Sequence, residues 1–341
     1  MEIRSIYIHI PFCRKKCLYC DFYSITDLKL LDEYLAKLVL EIKNSPFKNQ
    51  KIQTLYIGGG TPSLLCEKFL KKIFDAVYSH FNLTKNCEIT VEANPESLTK
   101  SFLKAAKNCG INRLSLGFQS LNNSLLKKIG RIHTQQTAKK SFFLARETGF
   151  KNINIDIIYG FEGRNFLKNT LEEILKLSPE HVSAYIYTPK NNSRLKTASE
   201  KNTLKLYKLV CKTLGKFYYH YEISNFSKDG FYSKHNLNYW LGKNYLGFGA
   251  GAIGTVDFLR IKNPKLPTYL KSPFRKEIEV LSPRQKKFEK KFLLLRTKKG
   301  IRFEKKHIPF IEKGWMKKKG KTTVFTEEGW FISNSILSEI I

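Results

Sequence analysis

The sequence has no run approaching the roughly 20 apolar residues that a membrane-spanning helix needs, although 42% of its 341 residues are hydrophobic. A helical membrane protein is thereby excluded and a soluble globular class favoured. A secretory leader layout is also missing: the apolar stretch at the N-terminus is interrupted at Arg4 and His9 and runs straight into charged residues, so the expected compartment is the cytoplasm. A disulfide framework is not expected: the seven cysteines are odd in number and do not fall in a framework-like pattern. Four of them, Cys66, Cys87, Cys109 and Cys211, lie scattered over helix- and strand-like segments and read as reduced core residues. Acidic residues are scarce, 29 against 60 lysines and arginines, for a net charge of +31. Such a surface attracts phosphate through counterion release. Here, however, lysines are spread along nearly the whole chain among Asn, Ile and Phe, the pattern of solvated faces, so nucleic acid is not an expected partner. The densest stretch, Arg284 to Lys321, keeps a phosphate track open, and peripheral contact with a membrane is left open too.

What the chain does have is a recurring βα rhythm. Short β-rich runs at Ile6–Ile10, Thr54–Ile57, Glu88–Val91, Arg113–Leu116, Asn152–Ile157 and His181–Tyr187 are each followed by a helix-like segment, which implies parallel βα units. Leu31, Tyr34, Leu35, Leu38 and Ile42 keep helical spacing, as do Phe69, Ile73, Phe74 and Val77. Six units before about Gly215 suggest a barrel or an open doubly wound sheet, in which ligands collect at the C-terminal ends of strands. The unusual residues fall there: a cysteine cluster after the first strand, Gly58-Gly59-Gly60-Thr61 after the second, Glu92 ending the third, Gln119 after the fourth and Asp156 ending the fifth. From Gln285 the rhythm changes to a helix, a short helix at Phe303–Ile311, a turn near Lys319-Gly320, and a final helix started by Thr326, Glu327 and Glu328. The division expected is a core over 1–215, an extension over 216–280 and a winged-helix-like α+β unit over 281–341.

The sharpest chemical signal is Cys13-Arg-Lys-Lys-Cys17-Leu-Tyr-Cys20 in the loop after the first strand. Thiolates suit iron–sulfur clusters or zinc, and three ligands on a four-iron cube leave one iron open. Lys15 and Lys16 would favour thiolates electrostatically. Zinc is the alternative, but a closed site usually needs four ligands and no partner pair is present. Covalent haem attachment needs histidine after the second cysteine of a C-x-x-C pair, where Asp21 stands. Quieter readings exist for the other groups: a strand-to-helix turn at Gly58–Thr61, a helix cap at Glu92, an ion pair between Arg131 and Asp156.

The cysteine spacing resembles the radical S-adenosylmethionine (SAM) superfamily, and further motifs narrow the resemblance to the oxygen-independent coproporphyrinogen III oxidase-like family. They are Tyr7-Ile-His9-Ile-Pro11-Phe-Cys13, Gly58-Gly-Gly-Thr61-Pro62, Glu92-Ala-Asn-Pro95, Arg113-Leu-Ser-Leu-Gly-Phe-Gln119-Ser, Gly130-Arg131-Ile-His133 and Asn154-Ile-Asp156-Ile-Ile-Tyr-Gly160. The resemblance implies a partial (β/α)6 barrel, a [4Fe-4S] cluster on Cys13, Cys17 and Cys20, and SAM on the fourth iron, which the reduced cluster cleaves to methionine and a 5′-deoxyadenosyl radical. It also implies that Tyr7 hydrogen-bonds near the cluster, that Gly59 and Gly60 present backbone to the methionine amino group, and that Glu92 holds a ribose hydroxyl. Thr61, Tyr19, Gln119, Arg131, Asp156 and Thr188 resemble positions lining a second SAM.

Two departures separate the chain from the oxidases of that family: Phe22 stands where they carry a further cysteine, and Tyr7 lies almost at the terminus. Cys20-Asp21-Phe22-Tyr23-Ser24 and His235-Asn236-Leu237-Asn238-Tyr239-Trp240 resemble instead the HemW-type haem chaperones. That resemblance implies haem as cargo, respiratory haemoproteins as acceptors, and a dimer promoted by cluster and SAM. Histidine is a natural axial ligand for haem iron, which makes His235 the haem candidate, with Tyr239 and Trp240 flanking the macrocycle. The alternative for His235 is a satisfied core residue.

Overall fold

All six expected strands form, and polar and apolar side chains alternate strictly along Ser5–Ile10 and Arg113–Gln119. The computed structural model describes residues 2–161, 164–189 and 195–340. Strands β1 (Ser5–Ile10), β2 (Lys51–Gly59), β3 (Asn82–Ala93), β4 (Arg113–Gln119), β5 (Ile153–Tyr159) and β6 (His181–Ile186) pair in parallel in chain order. Between them run α1 (Leu31–Lys43), α2 (Glu67–His80), α3 (Lys100–Asn108), α4 (Asn123–Lys128), α5 (Gln135–Glu147) and α6 (Arg164–Leu177), and α7 (Glu200–Leu214) follows β6. Successive residues on a strand face opposite sides. Ile6, Ile8 and Ile10, Leu55 and Ile57, and Leu114, Leu116 and Phe118 are buried in one hydrophobic core with the inner faces of the helices. The alternate positions, Ser5-Tyr7-His9, Thr54-Tyr56-Gly58 and Arg113-Ser115-Gly117, fill the other face of the sheet with polar groups. The result is a partial barrel with an apolar outside and a polar inside.

The segment after α7 adds strands to both edges of the sheet. Strands β7 (Tyr219–Glu222) and β8 (Asn225–Ser227) join the sheet antiparallel beyond β6. Strand β9 (Tyr245–Phe248) pairs in parallel with β1 at the opposite edge, followed by antiparallel β10 (Ile253–Val256), β11 (Leu259–Lys262) and β12 (Glu277–Val280). Helix α8 (Lys234–Trp240) connects the two edges, and α9 (Thr268–Lys271) packs near α1.

The remaining chain builds α10 (Pro283–Leu295), β13 (Ile301–Arg302), α11 (Ile308–Glu312), β14 (Met316–Lys319), β15 (Thr322–Phe325), α12 (Glu327–Phe331) and α13 (Ser333–Ile340). It has its own small core around Leu295, Phe310, Phe325 and Trp330, and a three-stranded sheet in the order β13-β15-β14. The turn expected near Lys319 is made at Gly320 (φ +59°). The single final helix expected from Thr326 is two helices. Thr326 does cap the first, accepting from the Gly329 N–H at 3.1 Å, but the chain leaves helical geometry at Ile332 (φ −101°, ψ 18°). Trp330 is locked inside the small core, with its indole N–H donating to the Leu295 carbonyl at 2.9 Å, while Phe331 turns to pack on Tyr207 of α7. Among the described residues no helix is long and apolar enough to cross a membrane.

Candidate cofactor site at the mouth of the barrel

The cysteine loop leaves β1 and returns on itself. Cys13 N–H donates to the Ile25 carbonyl at 2.9 Å and Ile25 N–H to the Pro11 carbonyl at 2.7 Å, closing the loop at its base. Leu18 N–H donates to the Ile129 carbonyl at 3.1 Å, pinning its far side beside Gly130 and Arg131. All three thiols face one cavity of about 410 Å³ at the C-terminal ends of the strands. Burial raises the Cys20 thiol above its ordinary pKa, and Lys16 opposes that only weakly. The flanking lysines therefore do not by themselves make Cys20 a thiolate.

The opposite wall is the glycine turn. Gly59 has φ +110°, and a Cβ there would lie 2.5 Å from the His9 ring; one on Gly60 would lie 2.5 Å from the Phe12 carbonyl. Glycine is therefore required for β2 to end against the cysteine loop, and a small cradle with open backbone results. Glu92 fixes the cradle from β3, accepting from Gly59 N–H at 3.0 Å and from Tyr56 Oη at 2.8 Å. Burial pushes its carboxyl up to about 7, only partly offset by these donors. Thr61 Oγ1 lies 3.4 Å from Cys13 Sγ and accepts from Asn94 Nδ2 at 3.0 Å.

Tyr19, Gln119, Arg131, Asp156 and Thr188 line the same cavity. Gln119 ends β4 with φ +64°, an uncommon conformation for a residue with a side chain. Arg131 does not pair with Asp156. Its guanidinium donates to Asn94 Oδ1 at 2.8 Å and the Gly117 carbonyl at 2.9 Å, lies 3.5 Å from Glu96, and reaches Cys17 Sγ at 3.8 Å. Asp156 instead accepts from Ser115 and Asn154, both at 2.8 Å, and burial raises its pKa.

Tyr7 is not among the residues lining the cavity. Tyr7 stands behind the wall: its hydroxyl donates to His9 Nδ1 at 2.8 Å, because His9 uses Nε2–H to donate to the Tyr23 carbonyl at 2.8 Å. Tyr7 thus positions the base of the loop through His9 and does not line the cavity. His235, the haem candidate, does not line the cavity either. It is 1% exposed at the opposite end of the barrel, with Nδ1 2.9 Å from Thr54 Oγ1, Nε2 2.7 Å from Tyr239 Oη, and its ring stacked on Tyr56. Both ring nitrogens are engaged within the chain, and burial, which pushes the pKa down to about 3, keeps the ring neutral. Helix α8 is a plug: Glu88 accepts the Lys234 and His235 N–H groups at 3.0 Å, and Asn238 donates to Ser5 at 2.7 Å. His133 stays outside the cavity, with Glu96 and the Phe118 carbonyl. Cys66 is exposed at the start of α2, not in the core.

Sequence reading missed Tyr56, Asn94, Ser115 and Tyr185, which also line the cavity. Their signal was the two-residue alternation: Tyr56 stands two before Gly58, Asn94 two after Glu92, and Ser115 four before Gln119.

The sequence profile described as the radical SAM superfamily matches residues 7–177. The haem chaperone HemW of Lactococcus lactis is 39% identical over 87% of this chain and 82% of its own length. That of Bacillus subtilis is 41% identical over 76% and 73% respectively. The chain belongs to the HemW haem chaperone family of the radical SAM superfamily. Family membership agrees with the fold: coproporphyrinogen III oxidase (HemN) of Escherichia coli, a radical SAM enzyme, superposes with a TM-score of 0.84 over 99% of this chain and 90% of its own, at 21% identity.

The residues present fit the cofactors of this superfamily. Three thiols from one loop face a glycine cradle that a single Cβ would fill, and a buried carboxylate stands beside it. Thiol donors suit iron–sulfur clusters, and open backbone beside a carboxylate suits an amino acid head joined to a ribose.

Proposed function

We propose that this protein is a haem carrier whose barrel mouth holds a [4Fe-4S] cluster on Cys13, Cys17 and Cys20, with SAM beside it, and that it delivers haem to respiratory haemoproteins. The observation that carries the reading is the meeting of the three thiols and the Gly59-Gly60 cradle in one cavity, in a chain whose full-length relatives are named haem chaperones. When bound, the cluster supplies one electron to the sulfonium of SAM. The chain's own residues do the rest. Gly59 and Gly60 open their backbone to the amino acid end of SAM. Glu92 accepts from a ribose hydroxyl when ionised, and Arg131 steadies Cys17 from above. Thr61, Tyr19, Gln119, Asp156 and Thr188 shape the remainder of the chamber, which is the place for a second SAM.

Phe22 and Leu18 flank the loop at 68% and 56% exposure. An apolar rim of this kind suits contact with another protein, and a homodimer dependent on cluster and SAM is part of the proposal. So are a cytoplasmic location, contact with the membrane periphery through the basic 281–341 unit, and a division into 1–215, 216–280 and 281–341. Haem sits away from the closed barrel floor.

Anaerobic reconstitution with iron and sulfide, followed by haem titration, tests the reading. The expected result is a brown protein with a saturable Soret shift and no conversion of coproporphyrinogen III under reducing conditions. Porphyrinogen decarboxylation without saturable haem binding would make the protein an oxidase instead.

A further inference from the structure

Away from the mouth, three metal-type donors from three separate elements converge where the barrel meets the C-terminal unit. Cys211 lies on α7, His220 on β7 and Glu327 at the start of α12. Their ligand atoms all lie within 4.8 Å of one another, with His220 Nδ1 4.0 Å from Cys211 Sγ and 3.7 Å from the Glu327 carboxylate. Among the described residues this is the one group of three or more such donors so closely placed.

The His220 ring is held in place before any ligand arrives. It stacks on Phe226, centroids 4.0 Å apart, and meets Trp330 edge-on at 4.7 Å. Its Nε2 faces the Ile223 carbonyl at 3.4 Å. A ring whose far nitrogen donates to a backbone carbonyl presents its near nitrogen as a lone pair, the arrangement seen around metal-binding histidines. That lone pair points at Cys211 and Glu327. Burial lowers the His220 pKa, which favours the neutral ring, and Lys298 lies over the neighbouring Trp330 ring, 4.3 Å from its centroid.

We propose that Cys211, His220 and Glu327 form a zinc site, distinct from the cysteine loop and independent of the haem chaperone reading. Sulfur, imidazole and carboxylate are the three donor types zinc takes in proteins. One thiolate and one carboxylate neutralise the ion, so the nearby Lys298 is tolerated. Glu327 is half exposed, with its side chain at 51%, which leaves the fourth position for water. Binding displaces the Cys211 thiol proton, a proton that burial otherwise holds up to a pKa of about 12. Zinc would fasten the C-terminal unit to the barrel edge, since two ligands come from the barrel and one from α12.

The test uses the full chain with Cys13, Cys17 and Cys20 all replaced by serine, so that the loop contributes no metal signal. Titration with Co²⁺ should give one equivalent bound, with thiolate-to-cobalt absorption in the near ultraviolet that Zn²⁺ abolishes. Adding Cys211→Ser should remove that band, and adding Glu327→Gln, on the exposed side, should weaken binding at least tenfold while circular dichroism stays unchanged. Zn²⁺ should also raise the thermal midpoint of the triple variant and not of the Cys211→Ser variant. Absence of stoichiometric cobalt uptake overturns the proposal, as does uptake that neither substitution alters. If Cys211→Ser does not fold, Glu327→Gln decides on the same two outcomes.

Discussion

The two ends of the barrel are built from the same alternating strands and reach opposite results. At the floor, Ser5, Thr54 and Glu88 meet His235 and Asn238 of α8 in a closed set of hydrogen bonds. At the mouth, Glu92, Asn94, Gln119 and Asp156 face an open chamber. A buried polar group must find a partner or lose stability. These floor groups find their partners within the chain; the mouth keeps acceptor capacity for a ligand. Polarity inside a barrel therefore does not mark a site until it is known which end is plugged.

Replacing any one of Cys13, Cys17 or Cys20 by serine should have the largest effect and confine it to the mouth: iron and sulfide after reconstitution should fall to background while unfolding in urea hardly changes. If the loop variants unfold instead, mouth and floor are not separable.

His235→Ala should do the reverse. It strips the buried partners of Thr54 and Tyr239, which should lower unfolding free energy by about 2–4 kcal/mol, with haem stoichiometry and SAM affinity of the folded protein unchanged. Loss of the Soret shift at constant stability would return His235 to the haem site.

Gly59→Ala should affect both properties more mildly. The side chain must be accommodated at φ +110° against His9, so a loss of about 1–3 kcal/mol is expected together with at least tenfold weaker SAM binding by calorimetry.

The smallest effect is the pH dependence carried by Glu92. Its folded pKa of about 7 exceeds the ordinary 4.5, so the folded state holds the proton more tightly. Its contribution to stability is complete below about 4.5 and lost as pH rises to about 7. Asp156 acts in the same direction, so the measurement is the difference between wild type and Glu92→Gln in ligand-free protein: the variant should show a shallower fall in thermal midpoint over that window.

Much of the mouth was legible because strand ends carry their own signals. Gly58 to Thr61 and Glu92 stand where β2 and β3 finish, and a ligand at that rim follows from βα topology; Asp156 lies in the middle of β5, which runs on to Tyr159. The floor was not legible, since His235 looks the same in sequence whether it binds iron or bonds Thr54, 181 residues away. The partner of Tyr7 was not legible for a related reason: its hydrogen bond to His9, behind the glycine turn, is set by the fold. The quieter reading of Arg131 as an ion-pair partner of Asp156 does not hold, because Glu96 lies within reach of its guanidinium instead. The helix break at Ile332 came from two neighbouring aromatics packing on different units, which no local pattern records.

The cysteine loop is only half covered, each of its three thiols being partly open to solvent. An inorganic centre lodged there would lie close to the surface, where an external reductant could approach it. The same shallowness admits dioxygen as readily as electrons, so air should bleach the reconstituted protein quickly.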